Sequence, residues 1–307
     1  MQSSDVNVED GSPAKPRRRR FTRRTLLRLI GGGVLAAGGG AAYARFLEPF
    51  WPTVEHIDMS FPRLAPPLQN LRILQLSDLH LSTRVPIDYL RKQLQRCLSL
   101  KPDLIAITGD FVTIGNSKTH SQLTSLLQTL HAPFGVFAVL GNHDCGAYSA
   151  RTPAGIGARR ADSVSQAISS AGVTVLRNES HVLGIRDARL QLVGLDDLWS
   201  GFCDPDRAFA GVDPSLPCIA LAHNPDVIDQ IREMPSHWIL CGHTHGGQVR
   251  IPFYGAPLLP VRNRQYDAGL FSVGQKRLYV NRGLGYLRPI RFNCRPEITL
   301  FTLTQRA

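Results

Sequence analysis

Short, nearly continuous apolar runs alternate with amphipathic segments in the first part of the chain beyond residue 70. The run that begins at residue 71 and the runs at residues 104–108 and 135–140 are typical of strands buried on both faces of a sheet. Between them, residues 86–100 carry apolar side chains at helical spacing behind a proline, and a second helix is predicted around residues 121–130. This alternation predicts an α/β architecture.

The pattern changes after residue 146. A loop rich in glycine and arginine, residues 151–160, leads to a predicted helix near residues 163–171. Shorter strands then follow at the spacing of hairpins, which favours mixed sheets. These strands are predicted at residues 173–176, 181–185, 190–195, 218–222, 238–240, 249–252, 277–280 and 298–303.

The N-terminal region has the composition of a leader. Residues 1–20 are polar and end in four arginines, so we predict that they are disordered. Residues 22–28 (TRRTLLR) and the apolar run up to residue 44 resemble a twin-arginine export signal, which implies the twin-arginine translocase as a partner. Six glycines make this run a weak membrane span, and residues 42–44 (AYA) offer a cleavage site. An uncleaved anchor is the alternative.

Either alternative places the body in the periplasm or on the outer face of the cytoplasmic membrane. Residues 45–70 contain five prolines and are predicted to be an irregular or edge-strand connector. The chain is therefore divided into a leader (residues 1–44), a connector (residues 45–70) and a body (residues 71–307).

Charge and cysteine content narrow the classes of function. The net charge is +11, and residues 1–44 hold eight basic but only three acidic side chains. The body is therefore only moderately basic, which suits anionic substrates or a membrane surface and does not indicate specific nucleic-acid binding. The six cysteines show no repeated spacing, which argues against a cysteine zinc site and a dense disulfide framework and leaves one or two disulfides open.

Polar side chains follow five of the apolar runs, where loops carry function and strands fix its position. Asp78 and His80 are two residues apart, so their side chains point the same way from an extended segment. A glycine precedes several of the polar residues, which indicates close approach of the backbone to the site. The five clusters are Asp78-Leu79-His80, Gly109-Asp110, Gly141-Asn142-His143-Asp144, His223-Asn224 and Gly242-His243-Thr244-His245. Each cluster alone is a weak signal, but all five in this order are a strong one.

The donor atoms in these clusters are carboxylate oxygens, an amide oxygen and imidazole nitrogens, without a thiolate. Such a set suits Mn, Fe or Zn in a site with open positions and differs from a closed structural zinc site.

The five clusters resemble the signature of the calcineurin-like metallophosphoesterases (D-x-H, G-D, G-N-H-[DE], H, G-H-x-H) over about residues 71–303. The leader adds a resemblance to exported bacterial phosphodiesterases of this family. The resemblance implies a four-layer α/β/β/α sandwich of two mixed sheets with a dinuclear metal site at the strand ends. It also implies two divalent metal ions, one held by Asp78, His80 and His245 and the other by Asn142, His223 and His243. Asp110 would bridge them.

The resemblance also implies roles in hydrolysis. Two cations ~3.5–4 Å apart can share a hydroxide, which would attack phosphorus in line. His143 is assigned to protonation of the leaving group and Asp144 to orienting His143, with a simple surface acid as the alternative for Asp144.

The leading functional prediction is a phosphodiesterase that hydrolyses a phosphodiester or pyrophosphate bond. A UDP-sugar or lipid-linked pyrophosphate beside the membrane is the alternative substrate. A non-catalytic envelope-binding protein is the alternative from another class, but a decayed enzyme would have lost Asp110, Asn142 or His143.

Residues outside the five clusters carry weaker signals. Four arginines near the C-terminus favour a solvated basic face over contacts with phosphate; they are Arg282, Arg288, Arg291 and Arg295. Trp199 follows two aspartates and suits a wall of the site or the core equally well.

Overall fold

The computed structural model describes residues 22–305, apart from the side chains of residues 29 and 33–36. The predicted disorder of residues 1–20 lies outside this range. The chain divides into two units, residues 1–41 and residues 42–307.

A single helix, α1 (Arg23–Phe46), covers most of the predicted export signal. It begins after Thr22, whose hydroxyl accepts a hydrogen bond from the Thr25 amide (3.2 Å). The helix runs through the glycines without interruption. With the residues up to Phe50, it is long and apolar enough to cross a membrane by length and composition, with a mean hydropathy of 1.3. The helix has the features of a signal or an anchor.

The remaining regular elements belong to the larger unit. The helices are α2 (Ile87–Ser99), α3 (Ser117–Leu127), α4 (Ala158–Ser169) and α5 (Pro205–Ala208). The strands are β1 (Thr53–Phe61), β2 (Arg72–Leu76), β3 (Leu104–Thr108), β4 (Val136–Val139), β5 (Thr174–Val175), β6 (Glu179–Ile185), β7 (Ala188–Gly194), β8 (Cys218–Leu221), β9 (Trp238–Cys241), β10 (Gly269–Val273), β11 (Lys276–Val280) and β12 (Glu297–Gln305). Short 3₁₀ helices lie at Glu48–Phe50, Pro66–Leu68, Pro225–Asp229 and His245–Gly247.

The strands form two mixed sheets of six strands each. The first has the order β1-β12-β2-β3-β4-β5, in which β2 to β5 run parallel and β12 is antiparallel to β2. The second has the order β10-β11-β9-β8-β7-β6, with parallel central strands and an antiparallel strand at each edge. The carboxyl ends of the central strands of each sheet therefore lie at one edge of that sheet, where a site can form.

Alternate residues of one strand enter two different cores. Ile105 and Ile107 of β3 pack towards the helices, whereas Leu104 and Ala106 pack between the two sheets. This burial on both faces explains the continuous apolar run. A third cluster covers the outer face of the second sheet, where α5, the 3₁₀ helix Pro225–Asp229 and loops replace long helices. The predicted α/β fold with two mixed sheets is confirmed.

Both sheets and all three clusters lie within residues 42–307, which therefore contain their own core. The indole of Trp238 joins the sheets further by donating to the Ser60 carbonyl (2.9 Å). The six cysteines are all free, and only Cys203 is not fully buried, so no disulfide occurs in the part of the chain that the structure describes.

The structure differs from the pattern-based prediction at several elements. The strand predicted at residues 249–252 is wrong: this stretch forms only isolated bridges and a turn closed between Ile251 and Gly255, and Pro252 has no amide to donate. Strand β10, the partner of β11, was not predicted. Helix α3 begins earlier than expected because Asn116 caps it by accepting from the Thr119 amide (2.9 Å). Within residues 45–70, β1 is an edge strand of the first sheet, paired with β12.

Candidate metal centre

The polar clusters that follow the apolar strands meet at the facing carboxyl ends of the two sheets. The first sheet contributes residues after β2, β3 and β4, and the second sheet contributes residues after β8 and β9. Every predicted ligand is buried, since the sheets enclose the site from both sides. These residues are Asp78, His80, Asp110, Asn142, His223, His243 and His245.

Three overlapping groups of three donors lie side by side: Asp78, His80 and His245; Asp78, Asp110 and His223; and His80, Asp110 and His143. In the first, His245 Nε2 is 3.2 Å from Asp78 Oδ1 and 3.0 Å from His80 Nε2. In the second, Asp110 Oδ2 is 3.2 Å from His223 Nε2, which in turn is 4.0 Å from Asp78 Oδ1. The groups are adjacent because Asp110 Oδ2 is also 3.4 Å from His80 Nε2. The arrangement can hold cations on both sides of Asp110.

His243 and Asn142 are the two predicted ligands outside these groups. The His243 ring lies edge to face against the His223 ring, with centroids 4.9 Å apart, and the His243 amide donates to Asp78 Oδ2 (3.1 Å). Asn142 donates through Nδ2 to the Ala147 carbonyl (2.6 Å), which leaves its Oδ1 for another partner.

Three of the predicted ligand atoms lack any hydrogen-bond partner although they are buried: Asp78 Oδ1, Asn142 Oδ1 and His223 Nε2. A buried polar atom without a partner is costly, and a coordinated cation would satisfy all three. The donor set of carboxylates, an amide oxygen and imidazoles also matches divalent metals. The residues therefore fit a metal centre.

Hydrogen bonds on the far side of three imidazoles fix which nitrogen faces the site. His223 Nδ1 is 2.7 Å from the Thr108 carbonyl, and His80 Nδ1 is 3.2 Å from the Thr113 hydroxyl. His243 is turned the other way, with Nε2 2.8 Å from the Pro260 carbonyl. A proton on the outer nitrogen leaves the inner nitrogen with a lone pair for a metal.

Burial and neighbouring charges together set the charge of these groups. It lowers the pKa of His80 and of His243 to about 3, so both rings are neutral donors at neutral pH. Burial raises the pKa of Asp110, but the neighbouring His223 and His143 outweigh it and hold that pKa well below its usual range. The site thus keeps an ionised carboxylate at its centre.

The backbone at the site adopts a rare conformation that the sequence does not reveal. Several non-glycine site residues have φ in the left-handed region: Asp78 (53°), His80 (48°), Asp110 (54°), His243 (71°) and His245 (51°). The loops hold one another in this geometry, since the Asp78 amide donates to the Gly109 carbonyl (2.9 Å). Backbone strain of this kind concentrates at functional sites.

The predicted close approach of backbone at glycines is found. A Cβ on Gly141 would lie 2.2 Å from Asp110 Oδ1. A Cβ on Gly242 would lie 1.8 Å from Ser77 Oγ and 2.4 Å from Asp78 Oδ2. Only glycine lets these two loops reach the carboxylates.

His143 lies at the edge of the centre. Its amide donates to Asp110 Oδ1 (2.9 Å), and its ring is edge to face with the His80 ring, with centroids 4.9 Å apart. Its Nδ1 is 3.4 Å from the Thr113 carbonyl. The ring is only half-buried, so it can contact a substrate.

Asp144 has different contacts from the predicted ones. It is fully buried, which rules out a surface acid, and its carboxylate accepts from the amides of Gly141 (3.0 Å), Phe111 (3.2 Å) and Val112 (3.1 Å). These amides point inward from the loops after β3 and β4. Asp144 therefore joins two loop backbones, and the contact that it was expected to make with the His143 ring is replaced by these bonds.

The arginine cluster is not one solvated face. Arg291 is fully buried, with Nη2 3.4 Å from His245 Nδ1, and donates to loop carbonyls that include Gly285 (2.8 Å). Arg282 pairs with Glu297 (2.7 Å), whereas Arg288 is exposed. The burial of Arg291 could not be predicted from the residue pattern, because its partners are carbonyl groups.

Trp199 contacts the site, in agreement with the predicted alternative in which it forms a wall of the site. Its indole lies edge to face against the His243 ring, with centroids 4.5 Å apart. An open groove of about 610 Å³ adjoins the same ring. We call it the apolar groove; its walls include His243, His245, Leu258, Leu259, Leu287 and Ile290.

Comparisons with known proteins agree with this geometry. The family described as calcineurin-like phosphoesterase matches residues 71–247. The chain is 37% identical to phosphodiesterase YaeI of Escherichia coli, over 85% of this chain and 92% of that protein. It is 36% identical to metallophosphoesterase YkuE of Bacillus subtilis, over 85% and 88% of the two chains. It is 35% identical to UDP-2,3-diacylglucosamine pyrophosphatase LpxG of Chlamydia trachomatis, over 84% and 91%.

The family match spans the strands and loops that carry all seven donors, and the relatives match over most of their own length. A phosphoester is therefore the substrate class, and divalent metals are the cofactors that the family uses. The chain belongs to the calcineurin-like phosphoesterase family and is a phosphoester hydrolase.

Proposed function

We propose that the chain is a metal-dependent phosphodiesterase that hydrolyses a phosphodiester or pyrophosphate bond with two divalent metals, Mn, Fe or Zn. The observation that carries this proposal is the set of overlapping donor groups in which Asp110 lies between His80 and His223. Asp78, His80 and His245 would hold one cation. Asn142, His223 and His243 would hold the other, with Asp110 shared.

The metals, when bound, would supply an activated water and neutralise phosphate charge. The chain itself positions the site residues, because backbone hydrogen bonds hold the loops of the site before any substrate binds. We assign His143 to protonation of the departing alkoxide. A hydrogen bond from Nδ1 to the Thr113 carbonyl (3.4 Å) supports a fixed ring, whose Nε2 is then free to carry that proton.

The test is hydrolysis of a chromogenic phosphodiester and of the matching monoester by residues 42–307 with Mn, Zn, Mg or a chelator. We expect diester cleavage that the chelator removes. His143→Ala should slow turnover by about 10²–10⁴-fold while metal content is kept. Asp110→Asn should abolish turnover in a folded protein. Unchanged turnover in Asp110→Asn contradicts the site assignment.

A lipid-linked or UDP-sugar pyrophosphate is the second candidate substrate. The apolar groove beside His243 and His245 supports it, because its walls suit an acyl chain next to a bound phosphate. The LpxG relative is a pyrophosphatase of an acylated UDP-sugar by its name. Comparing an acylated with a non-acylated UDP-sugar distinguishes the two candidates. Only the lipid-linked or UDP-sugar pyrophosphate candidate predicts a lower KM for the acylated compound. Binding to envelope material by a metal-loaded protein without turnover on any ester would favour the non-catalytic alternative.

We also infer that residues 1–44 form a twin-arginine leader that delivers the body to the periplasm or the outer face of the cytoplasmic membrane. Residues 45–70 then lead from it into residues 71–307, and β1 within them is already an edge strand of the first sheet. The paired Arg23 and Arg24 at the start of α1 support this inference. Cell fractionation after Arg23→Lys/Arg24→Lys tests it: the body should stay in the cytoplasm. Normal export of the variant contradicts a twin-arginine route.

A further inference from the structure

An exposed apolar turn stands beside the mouth of the apolar groove. Residues 251–259, which we call the apolar loop, include Phe253, which is 111% exposed, Leu258, which is 78% exposed, and Tyr254, which is 71% exposed. Burying side chains of this size releases free energy, and soluble surfaces seldom leave several of them exposed in one turn. The metal centre does not use them.

The fold holds this loop in its exposed form. The amides of Ile251 and Gly255 donate to each other's carbonyls (both 2.9 Å), which closes the turn with Phe253 at its tip. Arg264 Nη2 donates to the carbonyls of Ala256 and Pro257 (both 3.0 Å). The aromatic tip is therefore presented by a built turn.

Backbone hydrogen bonds link the base of the loop to the last turn of α1. The Arg250 amide donates to the Phe292 carbonyl (2.9 Å), and the Arg291 amide donates to the Ala44 carbonyl (2.9 Å). Arg291 and Phe292 thus join the base of the loop to the end of the helix. The segment that follows Ala44 exposes further large apolar side chains: Phe46, Leu47 and Trp51.

The charges near these apolar groups are predominantly positive. Arg264 and Arg288 are exposed next to the loop, and Arg45 is exposed at the end of α1. Of the nearby acids, Asp267 is paired with Arg250 (2.6 Å) and Glu48 is buried. Aromatic tips among arginines are the composition of surfaces that enter the interface of an anionic bilayer.

We propose that the apolar loop docks on an anionic phospholipid surface, with Phe253 and Tyr254 inserted at headgroup depth. A narrow turn offers too little area for a protein partner, which needs about 800 Å² on each side, but it can enter a fluid interface. The last turn of α1, a helix long and apolar enough to span a membrane, supports the same partner. Leu258 and Ile290 then bring the mouth of the apolar groove to the bilayer.

The test is flotation of residues 42–307, which contain their own core, with vesicles of phosphatidylcholine with and without phosphatidylglycerol. Wild-type chain should float with the anionic vesicles. The partition coefficient of Phe253→Ser/Tyr254→Ser should fall by at least roughly tenfold. Val182→Ser/Leu270→Ser, which removes exposed apolar groups from the edge strands β6 and β10, is the matched control and should partition as wild type.

Hydrolysis of the soluble chromogenic diester is measured on the same samples and should be equal in all three proteins. If the wild-type chain binds the anionic vesicles but does not hydrolyse the diester, the proposed function is contradicted and docking is still supported. Absence of vesicle binding by wild type, or equal loss in the loop and control variants, overturns the docking proposal. Concentration-dependent self-association that the loop substitutions abolish, without vesicle binding, would overturn it in favour of a second copy.

Discussion

Gly242 is a position beside the metal centre where the structure predicts a sharp response to a single methyl group. In Gly242→Ala the new Cβ would lie 1.8 Å from Ser77 Oγ and 2.4 Å from Asp78 Oδ2, so one or both must move. Overpacking of a buried position typically costs about 1–3 kcal/mol. Displacing a ligand from its fixed position typically weakens metal binding by about 10–100-fold. We therefore expect a lower Tm and a weaker metal site in the same variant.

The two effects can be separated. Gly184→Ala on β6 adds the same methyl group where no atom lies within 4 Å, and it should leave Tm and metal affinity close to wild type. Adding Ser77→Gly to Gly242→Ala removes the shorter contact but not the one with Asp78, so Tm should recover in part while metal affinity stays low. Calorimetry of the metal-free chain and metal titration measure both quantities. If Gly242→Ala matches Gly184→Ala in both, the close packing of these loops around Asp78 is refuted.

Three further outcomes follow from described contacts. Arg291→Met leaves several buried carbonyls without a donor and should lower the free energy of unfolding by about 3 kcal/mol or more. Arg159→Met on the exposed face of α4 should lower it by less than about 1 kcal/mol, and equal denaturant midpoints would contradict the role of Arg291. Burial, with Lys276 nearby, lowers the pKa of His237. The folded state therefore loses stability as pH falls below about 6.5, where the unfolded histidine takes up a proton. The Tm of His237→Asn should fall less between pH 7 and 5 than the Tm of wild type, and parallel curves would contradict this. Chelation should lower Tm, because a cation that binds only the folded chain stabilises it; an unchanged Tm in a chain shown to have lost metal would contradict the fit of the centre.

Local patterns in the sequence predicted those strands that are buried along their whole length. The continuous apolar runs of β2, β3 and β4 and the polar residues after them are local signals, and the structure gives the same strands. The stretch at residues 249–252 was wrongly predicted to be a strand, and strand β10 was missed. Short apolar runs look alike in a turn and at a sheet edge.

The site could be predicted only as far as its donor types and their order along the chain. The contacts of Asp144 and Arg291 join residues to backbone groups of other loops, and no residue pattern records such partners. The left-handed backbone at Asp78 and His80 is likewise invisible in the sequence, since aspartate and histidine adopt it only when surrounding loops require it.

The three hydrogen bonds accepted by Asp144 have a thermodynamic consequence for metal loading. They tie the loop that carries Asp110 to the loop that carries Asn142 through their backbones, independently of any cation. The spacing between these two side chains is therefore set before a cation binds, so little conformational entropy is lost on binding. Affinity for metal then depends on a carboxylate that the metal does not touch.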